Sequence, residues 1–185
     1  MKLMFASDIH GSAECCRRLL DAYSREGAER LLLLGDILYH GPRNDLPEGY
    51  SPKEVIKLLN AVRSSLLCVR GNCDCEVDQM VLEFPILADY AVIFEAGRML
   101  YLTHGHHWSP DALPPINDGD ALISGHTHIL MAEPRVTSDG RRIHCLNPGS
   151  VSLPKNGNPR SYMVYEDGTF TIKTLDGEAL SEYRL

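Results

Sequence analysis

The sequence predicts an α/β fold in which two sheets pack face to face with helices outside. Three features carry that prediction. Apolar runs alternate with helical patterns in the first half, hairpin patterns fill the second half, and five apolar runs end in residues that bind cations. Lys2 to Ala6 is the first short apolar run, long enough for a strand. Ser12 to Arg25 reads as a helix: Ser12 can cap it, Leu19, Leu20 and Tyr23 supply an apolar face, and Gly27 ends it. Leu31 to Leu34 is apolar throughout, the pattern of a strand buried on both faces. A Pro- and Gly-rich loop follows, and Pro52 then opens a helix through about Arg63. Ser65 to Val69 is a third strand, which completes β-α-β-α-β and implies a parallel sheet with right-handed crossovers.

The second half changes character. Tyr90 to Phe94 and Met99 to Thr103 flank a turn at Glu95-Ala96-Gly97. Ala121 to Ser124 is another short apolar run. Strands are then predicted at Met131 to Thr137, Arg142 to Leu146, Tyr162 to Glu166 and Thr169 to Thr174, with Ser138-Asp139-Gly140 and Asp167-Gly168 as turns. The sequence has no internal repeat, low-complexity tract or linker composition.

Bulk properties narrow the function. A chain of 185 residues suggests one domain, able to bury roughly 70% of the surface its unfolded form exposes. The formal net charge of −7 offers no basic face for nucleic acid, so no nucleic-acid partner is expected. No apolar run approaches the ~20 residues that span a bilayer, and the start turns polar too early for a signal peptide. Cytoplasmic residence is the expectation, and it agrees with six cysteines that contain no CxxC pair and read as reduced thiols.

The chemistry collects where apolar runs end. KLMFAS leads into Asp8 and His10, RLLLLG into Asp36, and SLLCVRG into Asn72 and Asp74. RMLYLT leads into His104, His106 and His107, and DALISG into His126 and His128. In open α/β sheets ligands bind beyond the carboxyl ends of strands, so these groups should converge on one rim. A single Asp after a strand is ordinarily a turn residue or a cap, and a single His is ordinarily structural. Five of the eight histidines within 25 residues, joined to Asp8, His10, Asp36 and Asn72 at strand ends, are not explained that way. Imidazole mixed with carboxylate and amide oxygen suits Mn, Fe, Zn or Co better than Ca or Mg. There are too many ligands for one ion with open positions, whereas two ions roughly 3.5–4 Å apart would use them and suit in-line displacement at phosphorus. Gly11, Gly35, Gly71, Gly105 and Gly125 each adjoin a ligand residue, as sharp turns beside a crowded site require.

The ordered motifs D-x-H, G-D, G-N, H-G-H and G-H-T-H between Asp8 and His128 resemble the calcineurin-like metallophosphoesterase superfamily. Chain size and Asn147-Pro148-Gly149-Ser150 resemble its small bacterial and archaeal YfcE-type phosphodiesterases. The resemblance implies a four-layer α/β/β/α sandwich of two mixed sheets flanked by helices, as a single metallophosphoesterase domain over residues 1–185. It also implies that Asp8, His10 and His128 hold one divalent ion, that Asn72, His104 and His126 hold another, and that Asp36 bridges them. Mn2+ is the expected metal, with Zn2+, Fe2+, Co2+ and Ni2+ as alternatives. A hydroxide bridging the two ions would then attack a small phosphodiester in line.

One position departs from the pattern. Larger members commonly carry a His after G-N that assists the leaving group, and here Cys73 stands in its place, followed by Asp74. A thiol is a poorer general acid than imidazole near neutral pH. Efficient cleavage then needs a good leaving group, or His106 partly substitutes. Asn72, Cys73, Asp74 and His106 are thus the candidate catalytic residues, with Asp74 expected to orient its neighbours rather than bind metal. Lys155 and Arg160 are candidates to touch a substrate phosphate, Tyr39, His40, His107 and Trp108 to line the approach, and His144 to be structural. A phosphomonoesterase is the nearest alternative. A non-catalytic scaffold, like the retromer subunit of this fold, or a metal store or sensor, would be non-enzymatic readings. Apolar patches on the outer sheet suggest a homodimer or higher homo-oligomer.

Overall fold

The computed structural model describes residues 1–185. In chain order the elements are β1 (Lys2–Ala6), α1 (Ala13–Glu26), β2 (Arg30–Leu33), α2 (Pro52–Ala61), β3 (Leu66–Cys68) and α3 (Glu76–Gln79). β4 (Tyr90–Glu95), β5 (Arg98–Thr103), β6 (Ala121–Ile123), β7 (Leu130–Val136), β8 (Arg142–Pro148), β9 (Ser161–Glu166), β10 (Thr169–Thr174) and β11 (Ala179–Arg184) follow. One sheet runs β11-β10-β9-β1-β2-β3 and the other β4-β5-β6-β8-β7. β1, β2 and β3 are parallel, as the β-α-β-α-β reading requires, and β9 joins β1 antiparallel.

Period-two alternation explains how the sheets pack. Met4 and Ala6 of β1 and Leu31 and Leu33 of β2 face the helices, against Cys15, Leu19 and Ala22 of α1 and Val55 and Leu59 of α2. Leu3, Phe5 and Leu32 face the other way, into an apolar layer shared with Leu100, Leu102, Ile123 and Leu146 of the second sheet. A strand buried on both faces must be apolar throughout, and β2 is. Helix α1 begins where Ser12 accepts from the Cys15 N–H at 3.2 Å, and it ends at Gly27 in the left-handed conformation (φ 62°).

The outer face of the second sheet differs from the layered expectation. No helix lies there. Residues 105–120 cross it as a loop, and Trp108, Leu113 and Ile116 cover Tyr101, Leu122, Ile143 and Cys145. Pro110, Pro114 and Pro115 give the reason, since each removes a helical donor and clashes with the preceding turn. Two further elements, α3 and β11, have no counterpart in the sequence reading. β11 is exposed at nearly every position, so it lacks the apolar alternation that marks a strand.

Candidate metal centre

The rim predicted from strand ends exists. Asp8 and His10 follow β1, Asp36 follows β2, Asn72 follows β3, His104 follows β5, and His126 and His128 follow β6. Asp8, His10, Asp36, His126 and His128 all have positive φ, between 48° and 65°. That region costs a residue with a Cβ of order 1–3 kcal/mol, and such strain gathers at functional sites. Neighbouring glycines make the close approach possible. A Cβ on Gly71 would sit 2.1 Å from Asp36 Oδ1 and 2.3 Å from the Asp36 nitrogen.

The rings are aimed by backbone carbonyls. Nδ1 of His10 lies 2.7 Å from the Tyr39 carbonyl, Nδ1 of His128 lies 2.5 Å from that of Leu153, and Nδ1 of His104 lies 2.6 Å from that of Leu34. A carbonyl can only accept, so each Nδ1 carries the proton and each Nε2 turns its lone pair inward. Those lone pairs meet carboxylates rather than donors. His128 Nε2 is 3.2 Å and His10 Nε2 3.5 Å from Asp8 Oδ1, and His104 Nε2 is 3.5 Å from Asp36 Oδ2. The nitrogens of His10 and His128 are 3.3 Å apart. Asp8 is fully buried, and its Oδ1 receives no well-formed hydrogen bond. Acceptors crowded against acceptors in a buried space require positive charge among them, from metal ions or from protons that take their place. The ligand atoms of Asp8, His10 and His128 lie within 4.8 Å of one another, as do those of Asp8, Asp36 and His104, and those of His10, Asp36 and Cys73. The donor set therefore fits divalent metal ions.

His126 and Asn72 are looser members. His126 donates its backbone N–H to Asp8 Oδ2 at 3.1 Å, and its half-buried ring lines the pocket 5.1 Å from that of His104. Asn72 Oδ1 is 3.1 Å from His104 Nε2. Asp74 does not face the pocket. Only 2% exposed, it accepts from the backbone N–H groups of Asp36 at 2.8 Å, Gly71 at 2.7 Å and Ile37 at 2.9 Å. These bonds place it beneath Asp36, where the orienting role expected of it among the catalytic candidates would be exercised. Cys73 lines the pocket and donates its N–H to Asp36 Oδ1 at 2.8 Å. Burial and the nearby Asp36 carboxylate push its thiol far up, so it stays protonated. His106 lies outside that pocket, in a depression shared with Arg70, Asn72, Asp89 and His107. Burial, followed by the positive charge of His104, lowers its pKa to about 4.

Other sequence candidates divide. Lys155 reaches the pocket wall, while Arg160 is taken up by Glu48 at 2.8 Å. Asn147 shapes the loop as expected, donating to the Gly125 carbonyl at 2.8 Å and accepting from the Gly149 N–H at 2.8 Å. His144 is structural, 3.2 Å from an Arg98 nitrogen and 2.7 Å from the Tyr183 hydroxyl. The sequence reading missed Ser150 and Ser152, whose hydroxyls donate to the Asp8 carbonyl at 2.9 and 3.0 Å and brace its strained backbone. Ser150 belonged to a motif that was noticed, and the signal for Ser152 was only its nearness. Arg43, also on the pocket wall, was hidden in a loop read only as Pro- and Gly-rich.

A pH dependence follows. In metal-free protein a proton on His104 Nε2 takes the cation's place. Burial opposes that charge, but Asp36 and Asp8 outweigh it and raise the ring to about 9. A raised folded-state value means that the stabilisation is complete below the unfolded value of about 6.5 and is lost as pH rises through about 9. Metal-free protein should therefore lose resistance to urea across that window. Divalent ion uptake near pH 7.5 should release protons, measurable by calorimetry in buffers of different ionisation enthalpy. Uptake without proton release would contradict the assignment.

Comparison with known proteins agrees with the geometry. Residues 1–168 match the calcineurin-like phosphoesterase superfamily domain. The chain is 48% identical over 180 residues to phosphodiesterase YfcE of Escherichia coli, covering 97% of this chain and 95% of that protein. It is 26% identical over 192 residues to phosphodiesterase MJ0936 of Methanocaldococcus jannaschii, covering 100% and 97%. The solved structure of YfcE, a phosphoesterase from E. coli, matches with a TM-score of 0.94 at 48% identity, over 100% of this chain and 99% of that one. Wild-type Vps29 complexed with zinc, from Entamoeba histolytica, shares the fold alone, with a TM-score of 0.56 at 21% identity over 100% and 98%. The two mixed sheets are thus the metallophosphoesterase fold, and this chain belongs to the calcineurin-like phosphoesterase superfamily.

Proposed function

We propose that this protein is a phosphodiesterase whose centre holds two divalent ions, manganese by preference over zinc, iron, cobalt or nickel. The observation that carries the reading is the inward ring of acceptors: three imidazole lone pairs aimed at two buried carboxylates, with Asp8 Oδ1 lacking any hydrogen-bond donor. In this reading Asp8, His10 and His128 hold one ion, Asn72, His104 and His126 hold the other, and Asp36 serves both. Bound cations supply Lewis acidity, neutralising charge on phosphoryl oxygens and lowering the pKa of solvent. The chain's own residues supply position. Backbone carbonyls fix the ring tautomers, Asp74 fixes the Asp36 backbone, and Ser150 and Ser152 fix that of Asp8.

Neither Cys73 nor His106 offers a readily donated proton, because the thiol's proton is held tightly and the imidazole is neutral. Turnover should then favour leaving groups of low pKa, which supports the first alternative, that cleavage depends on a good leaving group. Cys73→His is expected to raise turnover of alkyl-leaving diesters about tenfold or more, with a smaller gain on nitrophenyl diesters. No gain on any ester would contradict this account of the leaving group.

The central test is hydrolysis of bis(4-nitrophenyl) phosphate and of 4-nitrophenyl phosphate, with Mn2+ supplied after chelation, beside metal analysis. Faster turnover of the diester supports the proposal, faster turnover of the monoester supports a phosphomonoesterase, and a loaded but inert protein supports a binding role. Residues 1–185 are read as one domain, supported by the apolar layer that the two sheets share. No helix is long and apolar enough to cross a membrane, and six cysteines without a disulfide support a reducing cytoplasm. Tyr90, Val92 and Phe94, all exposed on edge strand β4, support a homodimer, which light scattering with Phe94→Asp would test.

A further inference from the structure

The metal ligands occupy only part of their pocket. The remaining wall is built by Gly41, Pro42, Arg43 and Asn44 from the loop after β2, and by Lys155 from the loop after β8. Those two loops carry three cationic side chains, Arg43, Lys155 and Arg160. Arg160 turns away to Glu48 at 2.8 Å, whereas Arg43 and Lys155 line the pocket without a carboxylate partner. The loop is tied down beside each of them. Asn44, next to Arg43, donates its amide to the His40 carbonyl at 2.8 Å. The Lys155 backbone N–H donates to the carbonyl of His128, itself a candidate ligand, at 3.1 Å. In a chain of net charge −7, two unpaired cations on one pocket wall run against the average surface. A simple diester carries one negative charge, and divalent cations held at the centre would already supply positive charge for its phosphoryl oxygens. Arg43 and Lys155 are then surplus, unless the substrate brings a second charge. A guanidinium fork binds phosphate or carboxylate oxygens in pairs, and an ammonium adds a point charge beside it.

We propose that Arg43 and Lys155 form a second anion subsite, and that the substrate is a phosphodiester carrying a further anionic group, phosphate or carboxylate, beyond the bond that is cut. This inference rests on the phosphodiesterase reading and specifies its substrate class. Both residues act in specificity, because they meet the substrate away from the reacting phosphorus.

The test uses the Mn2+-loaded full chain and three 4-nitrophenyl esters of thymidine 5′-phosphate, with a free 3′-hydroxyl, a 3′-phosphate or a 3′-succinate. KM should be about tenfold lower for the 3′-phosphate ester at low salt, and the gap should narrow as salt rises. An equal gain from the succinate would show that any anion suffices, and a gain from phosphate alone would identify the group. In the Arg43→Ala, Lys155→Ala double variant the KM ratio should fall to near one, while Arg160→Ala should keep it. Equal KM values in the unmodified protein, or a ratio that persists in the double variant, overturns the proposal. Calorimetric binding of thymidine 3′,5′-bisphosphate against thymidine 5′-monophosphate reads the same preference without turnover. If no ester is cleaved, the hydrolytic reading fails, and the binding ratio alone decides the subsite.

Discussion

Asp74→Ala is expected to destabilise the protein by about 3–5 kcal/mol and to remove activity with it. The carboxylate accepts from three buried backbone donors, those of Asp36, Ile37 and Gly71. Truncation leaves all three without partners, at roughly 1–3 kcal/mol for each group that water cannot reach. For a chain of this length each kcal/mol moves the melting temperature by about 2–4 °C, so a fall of roughly 10 °C or more is expected. Urea unfolding of the metal-free variant measures the effect apart from any metal. A change below 1 kcal/mol would mean that these hydrogen bonds do not hold the loop. Asp74→Asn keeps the shape and one acceptor oxygen, so it should fall between the two.

Asp36→Asn should do the reverse, leaving the fold nearly intact and lowering diester turnover about 10³-fold. Electrostatic groups that act on developing charge are each worth about 10²–10³ in rate, and in the proposed assignment this one would also serve both cations. Its Oδ1 accepts from the Cys73 N–H at 2.8 Å, a bond that the Asn side-chain oxygen can keep. Its Oδ2 stands 3.6 Å from His10 Nε2 and 3.5 Å from His104 Nε2, where a neutral amide cannot serve two ions. Metal analysis should find the content falling from two ions to one or none per chain. A variant that kept two ions and a tenth of the activity would refute the bridging role.

Much of the candidate site was legible because its candidate ligands are chemically marked and sit where apolar runs stop. Asp8, His10, Asp36, His104 and His128 could be placed without coordinates, since the ends of parallel strands share a rim. What escaped was the support. Ser152 looks like any loop serine until its hydroxyl is seen on the Asp8 carbonyl, and Arg43 looks like any loop cation until the loop folds over the pocket. The left-handed backbone of five candidate ligand residues also left no trace, because Asp and His tolerate that conformation without announcing it. In the fold, strand β1 matched its predicted bounds because both its faces are apolar, while β11 was invisible because almost all of it faces water. The loop over the second sheet was foreseeable from its prolines, yet the layered family pattern pointed to a helix there.

His10 and His128 touch across 118 positions of chain. In the proposed assignment, a ribosome must therefore have delivered residue 128 before the site of Asp8, His10 and His128 can close. Partial products and early truncations would carry the carboxylates but no finished trap. On that assignment metal capture at this site would follow the pairing of the sheets, and a loaded ion there would mark a molecule whose long-range assembly has already succeeded.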